Sequence, residues 1–140
     1  MRHQVSMEDV EYKRAFEACE ISPGDFDHRA HVRVAYIYLC DQDVEGAVAR
    51  MTGSLQALLK HYAVDPMKYH ATLTRAWILA VDYFMQEMAS ACQSAADFIR
   101  SNPLLLDSKI MLTHYSAEVL FSKDARRAFV QPDIQSIPPR

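Results

Sequence analysis

The sequence predicts an all-α protein: a single-domain helical bundle of four main helices followed by short C-terminal ones. Three observations carry that prediction. Only three glycines occur in 140 residues, which leaves few positions for hairpin turns. Apolar residues recur at helical spacing, and no stretch alternates as a strand would. Pro, Gly and Asp/Ser signals cut the chain into segments of helical length, with no internal repeat and no low-complexity tract. A chain of 140 residues makes one domain with one buried core, so residues 1–140 are read as a single unit.

The elements follow in order. Ser6 with Asp9 resembles a capping box, and Tyr12, Phe16 and Cys19 then fall on one face, giving a first helix of about three turns. "ISPGD" (21–25) breaks it. A second helix begins in "DFDHRAHVRVAYIYL" (25–39), with Asp25 or Asp27 as N-cap and Phe26 placed to pack on the first turn. Val44, Ala47, Val48, Met51, Leu55, Leu58, Leu59 and Tyr62 trace a continuous helical stripe over 43–62. Asp65-Pro66 supplies an N-cap and a Pro at N1 for a fourth helix, which carries His70, Leu73, Trp77, Val81, Phe84 and Met88 on one face. Ser94 with Asp97 caps a short helix that Asn102-Pro103 stops. Short helices restart at Asp107, Ser116 and Ser122. The Pro-rich end, about 131–140, is predicted to lie extended.

Composition excludes several classes of function. The net charge of −3 provides no basic field for a nucleic-acid backbone or an acidic membrane. No apolar run has the length of a membrane span, and "MRHQVSMEDVEYK" is too polar for a signal peptide. Cys19, Cys40 and Cys92 are odd in number and form no CxxC pair, so they read as buried thiols in a reducing compartment. The expectation is a cytoplasmic protein. There is no GxSxG, no phosphate loop and no dinucleotide fingerprint, and the seven methionines read as core filler.

The chemistry that remains centres on histidine. His28 and His31, three apart, share the inner face of the second helix, and His70 occupies the same place on the fourth. Three converging imidazoles make a first shell for a divalent metal, with ligand distances near 2.0–2.1 Å for zinc, or an acid/base cluster. The plainer alternative is that each ring half-buries itself and donates to a loop carbonyl. No HExxH supplies a paired base. Tyr69, Arg75 and Tyr115 are the candidate ligand-binding residues. Arg75 has the fork to hold an anion bidentately; a core position is the competing reading for Tyr115. Thr72 reads as exposed, and Thr74 as bonded to its own helix backbone.

"FDHRAHVRVAYIYL", "KYHATLTRAW" and "LLLDSKIMLTHYSAEVLFSKDARRAFVQPDI" together resemble a family of small, uncharacterised bacterial all-α proteins. The shared pattern runs F-x-H-x-x-H, Y-H-x-T-x-T-R, Y-S-x-x-x-L-F-S-x-x-A-R and P-D. That resemblance covers the chain from about residue 15 onward and implies roles for Phe26, His28, His31, Tyr69, His70, Thr72, Thr74, Arg75, Tyr115, Ser116, Arg126 and Asp133. This chain has Ala71 where many relatives carry Glu after the Tyr-His pair, which weakens an enzymatic role. The resemblance implies no activity.

Two functional readings follow. The leading one is a His-lined pocket that binds a metal ion or a small polar ligand, with or without catalysis by His28, His31 and His70. In it the three rings meet where the second and fourth helices begin, which requires those helices to run parallel. The rival is a non-catalytic module that acts by association, as a homodimer or accessory subunit, with the Pro-rich tail as a docking strap.

Overall fold

The structure, a computed structural model, describes residues 2–137 and is all-helical over them. Four longer helices come first: α1 (Met7–Glu17), α2 (His28–Leu39), α3 (Val44–His61) and α4 (Ala71–Glu87). Then come α5 (Ala95–Ser101), two 3-10 turns (Pro103–Leu106 and Ser108–Thr113), α6 (Ala117–Leu120) and α7 (Lys123–Arg127). The helices α2, α3 and α4 pack on one another at the centre, α1 lies on α2 and α3, α5 on α2, and α7 on α4. No described helix is long and apolar enough to cross a membrane.

Short polar side chains start these helices. Ser6 and Asp9 form a complete capping box on α1. Asp27, not Asp25, caps α2 by accepting from the Ala30 amide. Ser94, Asp107, Ser116 and Ser122 each cap the element that follows, where the sequence places restarts. Buried Asp9 does more than cap: one oxygen also accepts from the Ala95 amide and the other from Arg33, which ties α1 to α5 and α2.

Two helices end without glycine. Past α1, Cys19 turns left-handed at φ 60°, and past α3 Ala63 does so at φ 55°. In each case the next amide reaches back five residues, Glu20 N–H to Ala15 O and Val64 N–H to Leu59 O, both at 2.8 Å. These are Schellman ends, with Cys and Ala bearing the strain that glycine avoids. The second one lays Val64 over the C-terminal part of α3.

One expectation is corrected at α4. Asp65-Pro66 starts only a 3-10 turn, Pro66–Lys68, and the chain then extends through Tyr69 and His70 before α4 begins at Ala71. The cap of α4 is His70, whose ring Nδ1 accepts from the Leu73 amide. The helix is also buried on more than the one expected face. Thr72, Thr74, Ala76, Ile78, Ala80 and Met85 are inside with Trp77 and Val81, because α2, α3 and α7 surround it.

The C-terminal segment wraps the bundle and is fastened to it. Fully buried Thr72 donates to Ala128 O and accepts from the Val130 amide, so its reading as an exposed residue is overturned. Tyr115 donates to Val130 O, Arg126 to Met67 O, and the Ser116 amide to Asp133. The amides of Ile134 and Gln135 bond His114 O, and Ile137 is buried against the core. The segment from 131 is thus extended but anchored; positions 138–140 of the expected tail lie outside the described residues. All three cysteines are free; Cys92 is buried, but Cys19 and Cys40 are only partly so.

Candidate functional site

A concave pocket of about 510 Å³ lies where α2 and α4 begin and α3 ends. His28, His31 and His70 all line it. The α2 and α4 starts therefore sit at the same end of the bundle, with α3 running antiparallel between them, as the sequence reading required. Most of the remaining wall is apolar: Phe26, Leu55, Leu58, Leu59, Val64 and Leu73. Of the stripe on α3, Ala47, Met51 and Leu58 are buried, Val44 and Val48 are partly so and Tyr62 is exposed; Leu55 and Leu59, also half-exposed, face this opening.

The three imidazoles do different things. His28 Nε2 donates to Leu105 O at 2.8 Å, and its ring stands edge-on to Trp77 with centroids 4.3 Å apart. His70 uses both nitrogens: Nδ1 accepts the Leu73 amide, which leaves the proton on Nε2 to donate to Leu120 O at 2.7 Å. Burial keeps His70 below its ordinary pKa, so the ring stays neutral in that role. His31 is unlike both. Its Nε2 is enclosed and has no partner, the one buried side-chain nitrogen or oxygen among the described residues so placed. Burial, reinforced by the neighbouring His28, pushes the His31 pKa down to about 4.

The contrast extends over the chain. Four of the six histidines bond a backbone carbonyl far away in sequence: His3 to Met85, His28 to Leu105, His70 to Leu120 and His114 to Gln135. For His28 and His70 the plainer expectation of a ring donating to a carbonyl describes the bond, although Leu105 belongs to a 3-10 turn and Leu120 to α6 rather than to a loop. Natively buried polar groups are nearly always satisfied, so the enclosed Nε2 of His31 requires an explanation that the other rings do not.

A metal shell is not assembled here. No group of three or more His, Cys, Asp or Glu among the described residues is placed to hold a metal ion. The bonds give part of the reason: His70 has no free nitrogen, and His28, whose Nε2 donates to Leu105 O, offers only Nδ1.

The other candidates separate as well. Tyr69 lines the pocket, its hydroxyl 2.8 Å from the Thr52 hydroxyl. Arg75 does not line it. Its guanidinium pairs with Glu45 of α3 through both nitrogens and lies over the Phe129 ring, so the fork that suggested an anionic ligand already holds a carboxylate of this chain. Tyr115 is a core residue, fully buried and away from the pocket; burial pushes its hydroxyl up to about 12. Thr74 bonds His70 O, four residues back, as expected. Lys68 and the Leu59–Val64 contact escaped the sequence reading. Both depend on the 3-10 turn and the Schellman end, which leave no periodic signal.

The chain matches no protein-family model, and no curated protein or solved structure shows significant similarity to it.

Proposed function

We propose that this protein binds a small organic molecule in the pocket at the α2 and α4 starts, a molecule with an apolar body and one polar group. The observation that carries the reading is the enclosed, unpartnered Nε2 of His31 in the wall of a concave, largely apolar cavity. A cavity of about 510 Å³ is of ligand size, and few polar groups among many apolar ones is the usual make-up of such sites. A ligand group that enters, with rotation of the His31 ring about Cβ–Cγ, gives the nitrogen its missing hydrogen bond. Leu55, Leu58, Leu59, Leu73 and Phe26 supply the apolar contact. Neutral His31 accepts or donates equally well, according to tautomer.

Side-chain 15N NMR tests this with 1-octanol and octanamide as neutral probes. Saturable binding that shifts the His31 ring, and is lost in Leu59→Trp, is the expected result. Binding of neither probe, or shifts that leave His31 unmoved, overturns the reading.

A further inference from the structure

We infer that the polar group of the ligand is an anion, a carboxylate carried on an aliphatic tail. This rests on the pocket reading above and specifies the ligand class. Two helix starts open on the cavity, and each is the positive end of a helix of at least three turns. On α2 the Asp27 side chain takes the Ala30 amide, leaving the His28 and Arg29 amides without an intrahelical carbonyl. On α4 the His70 ring takes the Leu73 amide, leaving those of Ala71 and Thr72.

Helix starts alone do not make a site; here His31 lines the same cavity, and its enclosed Nε2 has nothing to bond. Of the two charged side chains in the wall, Asp27 is turned to the Ala30 amide of its own helix, whereas Lys68 is exposed and forms no ion pair among the described residues. An imidazole surrounded by apolar groups is neutral for want of a counter-ion, and a bound carboxylate supplies one.

The tail follows from the shape of the wall. Leu59 and Val64, held together by the Schellman end of α3, also line a second cavity of about 620 Å³ with Gln56, Ala63 and Pro66. A flexible aliphatic chain can cross that ridge from one hollow into the other, whereas a rigid ring system fills only one.

Titrations with octanoate, 1-octanol, octylammonium and acetate at pH 7 separate the parts. Octanoate should bind at least tenfold tighter than octanol, and acetate should not bind measurably. Octanoate should also raise the His31 pKa, read from its ring resonances, and lose most of its advantage in Lys68→Met and in high salt. If octanol or octylammonium binds as tightly as octanoate, the anionic head is refuted while the pocket reading stands. Acetate binding as tightly as octanoate refutes the tail. If no octyl probe binds, both this inference and the pocket reading fall.

Discussion

Replacing His31 with leucine should make the protein more stable at neutral pH. A buried polar atom without a hydrogen bond costs about 1–3 kcal/mol, the desolvation that nothing repays. In this protein that atom is Nε2 of His31. Leucine removes it while keeping an apolar side chain against Phe26, whose ring centroid lies 6.3 Å from that of His31. Allowing for some lost ring contact, the net gain is about 1 kcal/mol, or roughly 0.5 M in a urea midpoint. The pH dependence sharpens the test. The folded pKa of His31, about 4, lies below the unfolded value of 6.5, so between them the unfolded chain binds more protons. Stability contributed by the neutral ring is complete above pH 6.5 and is lost as pH falls toward 4, by about 3 kcal/mol in all. His70, also lowered by burial, acts in the same direction. His31→Leu should therefore flatten the acid limb without abolishing it. Urea melts from pH 4 to 7.5 measure both effects. A neutral-pH loss of 1 kcal/mol or more in His31→Leu, or an unchanged acid limb, refutes the assignment of His31 as an unsatisfied buried base.

Trp77, only 3 % exposed and packed edge-on by His28, should cost about 3–5 kcal/mol on substitution by alanine; a loss under about 1 kcal/mol in urea melts would contradict its core position. Thr72→Val should cost about 1–3 kcal/mol by stranding Ala128 O and the Val130 amide. It should also expose the segment after residue 128 to limited proteolysis, and wild-type resistance in the variant would show that Thr72 is not the fastening. Ala63→Gly should raise stability by about 1 kcal/mol by relieving a left-handed alanine, and a destabilised variant would argue against the Schellman geometry of α3.

Local rules made the fold legible: caps are chosen by side chains a few residues away, and core faces by periodicity. Ser6, Asp27, Ser94, Asp107, Ser116 and Ser122 all cap where the sequence places a start. At Asp65 the rule yields a capped 3-10 turn but not the long helix. Pro66 satisfies the signal for a first helical turn, but a tertiary bond from the His70 ring to Leu120 O holds residue 70 extended, and α4 starts five residues after Pro66. Nothing near Asp65 in the sequence announces Leu120.

The site shows the same division between near and far. Helical spacing places His28 and His31 on one face and, with parallel α2 and α4, brings His70 to the same pocket; both features are present. Spacing cannot say which ring finds a partner. His28 meets Leu105 from 77 positions away, and His70 meets Leu120 from 50, because the C-terminal segment folds back over the helix starts. His31, one turn further along α2, is reached by neither carbonyl. Many of the polar residues in the F-x-H-x-x-H … Y-S … P-D pattern serve that wrapping: His28, His70, Thr72, Tyr115, Ser116, Arg126 and Asp133 all bond across it. A polar pattern dense enough to suggest an active centre is here largely the fastening of a C-terminal wrap. The fastening has a consequence for the pocket. By engaging Nε2 of His70, whose Nδ1 already caps α4, it removes that imidazole from metal chemistry. It leaves Nε2 of His31 as the one unpartnered buried ring nitrogen among the described residues, in an apolar wall, a setting suited to one hydrogen bond with a ligand.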